Sequence, residues 1–384
     1  MRADILAAMP HEKEVPSLSW RGVNGFRLRR HHLLRRAPRA DLVAVVSDLC
    51  GVQAQLSSAA ELALWARVRG LTSEDVESAL WRERSLVKTW CMRGTTHLLP
   101  AAEFPMYVAA LRESAVARDR NWIARYGITE REMDAMADAV VDALASGPLA
   151  RRELADRVVG LVGPKARRWV EHSWGGIVRR PCFQGRVCFG APQGREVTFV
   201  RTDQWVAHKA NLSPEDARTE MLRHYLRAYG PATSQDFLAW SGMAAKDVRS
   251  SWDSTSGIAE VAVEGQRAWM LREDLTQLSR KEGRESVRLL PSFDTYLLGH
   301  RDKGHLVDAA HYKRVYRKAG WLSPVVLVDG RVAGVWTHRK IRGGWDVRIE
   351  PFRPLTRLER EGIAAEVEDL GRFLGGTAEV RYAR

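Results

Sequence analysis

The chain has 384 residues, 45% hydrophobic and 28% charged, which is ordinary for a globular protein with room for two to four small domains with real cores and argues against disorder as the default. Lysine and arginine number 60 against 47 acidic residues, and the resulting charge of +13 points to polyanionic partners, nucleic acid first. The apolar stretch Ile5 to Met9 is too short for a signal core and no run approaches a membrane span, so a cytoplasmic protein is expected.

Residues 1–24 mix charge, Pro and Gly without periodicity and read as a poorly ordered tail, with the folded body starting near Phe26. Leu42, Val45, Val46 and Leu49 form one face of a helix. Ser58 with Glu61 fits a capping box opening a second helix, and Thr72 to Asp75 opens a third that runs through Trp81. Leu86 to Leu99, rich in Val, Thr and Trp, is extended. Helices followed by strands make residues 25–125 a winged-helix-like unit.

The same order is expected twice more, in 126–210 and 211–283. In the first copy, Met133 to Leu144 is helical, Gly147-Pro148 breaks it, helices follow over Arg152–Val158 and Lys165–Arg179, and a hairpin closes the unit. In the second, Ala217 to Ala228 is helical, Gly230-Pro231 breaks it, two further helices follow, and Ile258–Val263 with Arg267–Leu271 forms the hairpin. Glu153-Leu154 follows its Gly-Pro break at the same spacing as Asp236-Phe237 follows its own, which marks an internal repeat. Helix, turn, helix, helix and two-stranded wing is a winged helix-turn-helix, a module that lays a helix in a DNA groove. Residues 284–384 add an α+β portion with a hairpin turning at Asp329-Gly330 and a last helix over Leu355–Leu374. The whole is helix-rich α+β.

Gln53-Ala54-Gln55 lies between two helices, where an extended backbone puts both amides on one side. Neutral amides can hold a water or a sugar oxygen but supply no strong base, so chemistry built on them needs little acid-base help. Cys50, Cys91, Cys182 and Cys188 lack CxxC spacing and read as reduced, buried thiols. No metal or other cofactor is expected.

Val52-Gln53-Ala54-Gln55, Trp90-Cys91-Met92-Arg93-Gly94-Thr95-Thr96-His97-Leu98 and Leu290-Pro291-Ser292-Phe293-Asp294 with Leu297-Leu298-Gly299 together resemble the AlkZ/YcaQ-like winged-helix DNA glycosylases of bacteria. The resemblance implies three winged-helix units in a C-shaped molecule, a monofunctional glycosylase acting on N7-alkylated guanine, and catalysis by Gln53 and Gln55. One branch of the family carries an acidic residue at the last motif position. With Gln55 there, this chain resembles the azinomycin-resistance branch, associated with bulky natural-product adducts, interstrand crosslinks and self-resistance. An N7-alkylated guanine carries positive charge and leaves without a general acid, so the two carboxylates of ordinary glycoside hydrolysis are not required.

Double-stranded DNA with alkylated purines is the expected partner of a monomer. Candidate DNA contacts are Arg93 and His97 beside the triplet, Lys165, Arg167 and Arg168 in the first repeat, and Lys246 and Arg249 in the second. Two basic loops join them: His300, Arg301 and Lys303 with His305, and His338-Arg339-Lys340. A winged-helix transcriptional regulator, and a nonenzymatic protein that holds DNA adducts, are the alternatives to an enzyme.

Overall fold

The computed structural model describes residues 15–172, 175–207, 212–278 and 286–383, apart from the side chains of 121 and 122. The first unit contains helices Leu42–Asp48 and Ser57–Trp65, then Ser73–Glu77, capped by Thr72 with Asp75 in reciprocal hydrogen bonds and continuing as a π-type turn over Ser78–Arg82. Its three-stranded sheet runs in the order Val52–Gln53, Thr96–Pro100, Leu86–Trp90, all antiparallel. Helix Phe104–Arg125 leads to the second unit: helices Glu130–Ala143 and Arg151–Val162, short turns, and hairpin Val187–Gln193 with Glu196–Arg201. Helices Pro214–Tyr229, Ser234–Ser241 and Ala245–Ser254 precede hairpin Ile258–Val263 with Gln266–Leu271.

The equal spacing of the two repeats has a local cause. Glu153 accepts the Ala150 amide at 3.2 Å and Asp236 accepts the Thr233 amide at 2.9 Å, each closing the start of its unit's second helix. Leu154 and Phe237, one residue on, are both fully buried.

The C-terminal sheet has five strands in chain order: Val287–Leu290, Val325–Val328, Arg331–Ile341, Gly344–Pro351 and Thr377–Tyr382. Helix Arg357–Phe373 packs on it, and one apolar core joins this sheet to the helices of the first unit. At that junction Arg67 and Asp294, both 0% exposed, form a two-pronged ion pair at 2.8 and 2.7 Å. Asp294 also accepts the Tyr296 amide at 2.9 Å.

Several expectations are corrected. Residues 15–24 are built into the fold, whereas 1–14 lie outside the described residues. Ser17–Leu18 pairs parallel with Ala262–Val263, and helix Trp20–Arg30, capped by Ser19, buries Val23 and Asn24. The helix expected to open at Ser58 begins at Ser57 with no side-chain cap. The helix starts one residue early, so the cap position falls on Leu56, which has no polar side chain, and Glu61 takes the Ser73 hydroxyl instead. The single helix expected over 165–179 is broken, because Gly175 and Gly176 take positive φ where the chain turns against Trp90 and Trp169, and residues 173 and 174 lie outside the described set. His338, Arg339 and Lys340 lie within strand Arg331–Ile341 rather than in a loop.

Among the described residues no helix is long and apolar enough to cross a membrane, and no group of three His, Cys, Asp or Glu is placed to hold a metal ion. All four cysteines are free and buried.

Removing one partner of a buried ion pair leaves the other charge uncompensated, at a cost of about 3–5 kcal/mol. Asp294→Ala is therefore expected to lower unfolding free energy by about that much in a urea titration; a variant within about 1 kcal/mol of the parent would deny the pair a structural role.

Candidate active site

Gln53 ends the short edge strand and faces His97 of the central strand. The neighbouring pair, Ala54 and Thr96, is hydrogen-bonded through the Ala54 amide at 2.7 Å, so Gln53 and His97 form the intervening close pair on one sheet face. Gln53 is only 6% exposed and its Oε1 accepts Arg93 Nη2–H at 3.0 Å. A guanidinium only donates, so the contact fixes which way the amide points: carbonyl toward Arg93, NH2 away. None of the described residues bonds that NH2. Gln55 lies over the same strand, its Oε1 accepting the Thr96 amide at a long 3.4 Å. The two amides therefore meet one strand, but both present a carbonyl already engaged by a protein donor.

Arg93 reaches Gln53 because the turn Met92–Gly94 folds back through left-handed conformations, φ 55° at Arg93 and 76° at Gly94. Its other nitrogen, Nη1, donates to the Trp240 carbonyl at the end of helix Ser234–Ser241, so one guanidinium ties this sheet to that helix. Burial pushes its pKa down to about 10. His97 Nδ1 lies 3.0 Å from the Thr95 carbonyl and must donate to it, leaving Nε2 as a bare lone pair with no partner among the described residues. Burial, reinforced by Arg93, holds the ring neutral with a pKa of about 3.

The other sequence candidates are scattered. His300 and His305 are buried: His300 Nε2 lies 2.7 Å from Arg27 Nη2, and His305 stacks on Trp20 with ring centroids 4.6 Å apart. Lys303 donates to the His300 carbonyl, and burial, with Arg93 adding to it, lowers its pKa to about 8. Arg301 is exposed, with its backbone amide on Asp236 at 2.8 Å. Lys246 and Arg249 are exposed on helix Ala245–Ser254. Lys165 precedes the four-residue helix Arg167–Val170, where Arg167 pairs with Asp156 and Glu171, and Arg168 lies over Trp169. His338 sits between the Trp336 and Trp345 rings, Arg339 pairs with Asp346 at 2.9 Å, and Lys340 is exposed. Only Arg93 and His97 adjoin Gln53 directly; Lys303 enters the same electrostatic neighbourhood.

Sequence reasoning missed Arg27, whose buried guanidinium donates to the Tyr229 and Pro231 carbonyls, and Arg118 and Arg179, which flank the Arg93 turn. The adjacent glycines at 175 and 176 were the only available sign that the chain turns sharply just before Arg179.

Residues 46–373 match the family model of the AlkZ-like DNA glycosylases. The chain is 34% identical over 369 residues to the interstrand DNA cross-link repair glycosylase of Streptomyces sahachiroi, which covers 93% of this chain and 97% of that protein. It superposes on the solved structure of Streptomyces sahachiroi DNA glycosylase AlkZ with a TM-score of 0.85 at 32% identity, over 96% of this chain and 100% of that one. The mixed α+β fold is thus that of an enzyme acting on DNA, a glycosylase. The chain belongs to the AlkZ-like DNA glycosylase family.

His31, His97, His300 and His305 all have pKa values driven below the usual histidine range, burial being the largest cause in each. In the unfolded chain they titrate near about 6.5. Their contribution to stability is therefore complete above that pH and is lost as pH falls, at about 1.4 kcal/mol per pH unit for each. Melting temperature should drop steeply from about pH 7 to about pH 5, with proton uptake on unfolding approaching one per buried histidine; a flat profile would contradict the neutral assignment.

Proposed function

We propose that this glycosylase hydrolyses the N-glycosidic bond of N7-alkylated guanine in duplex DNA, including bulky adducts and interstrand crosslinks, with Gln53 and Gln55 as its catalytic residues. The observation that carries the reading is the fixed Gln53 amide, its NH2 unbonded and its strand partner His97 a neutral acceptor. The name of the Streptomyces sahachiroi relative supports the crosslink part.

The chemistry follows from charge. The C1′–N9 bond breaks with its electron pair passing to the base, which neutralises the N7 cation and leaves positive charge on the sugar. A water held by the Gln53 N–H, with its own proton directed at His97 Nε2, forms the new C1′–O bond and releases a proton to solvent. Arg93 withdraws electron density from the Gln53 carbonyl and so strengthens its N–H donors. Gln55 takes the other task. Its carbonyl has a second lone pair, and its long bond to Thr96 leaves that oxygen available to the cationic sugar.

The reading extends to architecture: residues 25–125, 126–210 and 211–283 act as three winged-helix units in a C-shaped arrangement around DNA, with 284–384 buttressing the first. The repeated helices, hairpins and capping carboxylates support it. A guanine tethered to the opposite strand cannot rotate out of the stack intact, so the glutamines approach the sugar from the groove.

The test is incubation with duplex carrying N7-methylguanine or a bulky N7-guanine adduct, followed by alkaline heating to cut abasic sites. Gln53→Ala and Gln55→Ala should each slow single-turnover base release at least about tenfold, or about 1.4 kcal/mol of barrier, with a smaller loss of DNA affinity. Normal excision by the double variant, with an unchanged melting curve, would move catalysis elsewhere.

A further inference from the structure

Three guanidinium groups from separate elements converge on the turn that carries Arg93. A Cβ built on Gly242 would lie 3.1 Å from Arg93 Cα and 2.7 Å from Arg118 Nη1, so Arg118, from helix Phe104–Arg125, is packed against the same glycine as the turn itself. On Gly94 the added Cβ would meet Arg179 Nη2 at 3.4 Å. Close approach at both glycines brings the cations to the Arg93-Gly94 backbone.

Their partners do not balance them. Arg93 donates to two neutral carbonyl oxygens, those of Gln53 and Trp240. Arg179 has an ion pair with buried Asp119 at 3.4 Å. Arg118 makes no hydrogen bond or ion pair with any described residue, although it is half-buried; Asp119 is the nearby carboxylate, and Arg179's charge works against it. Arg118 and Arg179 share one carboxylate, that of Asp119, while Arg93 has none, and both Asp119 oxygens lack a hydrogen-bond donor among the described residues. Like charges held together at partial burial are costly unless an anion completes the group, and a guanidinium fork matches a phosphate in geometry as well as charge.

We propose that Arg118, with Arg179 beside it, grips one backbone phosphate of the DNA strand whose sugar is attacked at Gln53. The site takes a phosphodiester and reads no base. The grip fixes the distance from phosphate to sugar and thus places the anomeric carbon over the glutamine pair, since Arg93 ties the clamp to Gln53. Its negative charge also offsets the cations that would otherwise face the developing sugar cation. The placement over the sugar rests on the proposed role of Gln53; the phosphate contact does not.

The experiment is a methylphosphonate map: N7-methylguanine duplexes in which one phosphate at a time around the lesion is made neutral. Wild-type protein should bind one of them severalfold to about tenfold more weakly, and Arg118→Gln should be indifferent at that phosphate while staying sensitive at others. On undamaged duplex, Arg118→Gln should bind more weakly, with the slope of log affinity against log salt shallower by about one, and Arg118→Lys should restore most of the slope. Wild-type binding insensitive to every neutral phosphate, or Arg118→Gln with the parent's map and salt slope, would overturn the clamp. Gln53→Ala protein run through the same map separates the two ideas: a normal rate of base release sinks the glutamine mechanism alone, and a lost map position sinks the clamp alone.

Discussion

One guanidinium organises this enzyme's candidate active site. Arg93 holds the Gln53 carbonyl with one nitrogen and the Trp240 carbonyl with another, so the direction of the Gln53 amide and the packing of helix Ser234–Ser241 against this sheet are set by the same group. Because arginine cannot accept a hydrogen bond, the amide has a single orientation as long as Arg93 stays in place. The same charge helps keep His97 neutral, second to burial. A pair of glutamines thereby becomes one oriented donor beside one oriented acceptor, with a second amide held more loosely.

The surrounding architecture protects that geometry. Arg27 reaches from the N-terminal helix to the Tyr229 and Pro231 carbonyls, and Arg67 with Asp294 locks the first unit to the C-terminal sheet. These are buried cations satisfied by carbonyls or by one carboxylate, bonds whose loss is costly because no water can replace them. Some of the arginines that suggest nucleic acid are therefore structural. Arg27, Arg67 and Arg180 are buried and bonded inside the protein. Exposed cations such as Lys246, Arg249 and Arg301 are open for a polyanion to meet.

Helices such as Leu42–Asp48, Glu130–Ala143 and Pro214–Tyr229 and both repeat hairpins were legible because their signals are local, namely period, Gly-Pro breaks and a capping carboxylate three residues into a helix, whereas helices Trp20–Arg30 and Phe104–Arg125 were not read. The N-terminal strand was not, since Ser17–Leu18 is ordered by a partner at Ala262–Val263 that no short window contains. The glutamine triplet stood out by spacing and setting, and the family match agrees with the resemblance it suggested. What escaped was the cost of its surroundings: that Arg93 occupies the Gln53 carbonyl, that His97 and His300 are interior groups, and that Arg118 and Arg179 arrive from elsewhere. Leu290 to Asp294, read as a family signature, includes in Asp294 the buried partner of Arg67.

The central claim, that Arg93 sets the working direction of Gln53, is tested most directly by single-turnover base release from N7-methylguanine duplex with Arg93→Met protein. The account predicts a fall of at least about tenfold at saturating enzyme, because the amide is free to turn its carbonyl toward the water's oxygen. It also predicts an acid limb moving to higher pH as His97 loses a repelling neighbour. Wild-type rates and an unshifted pH profile in a folded Arg93→Met protein would contradict it.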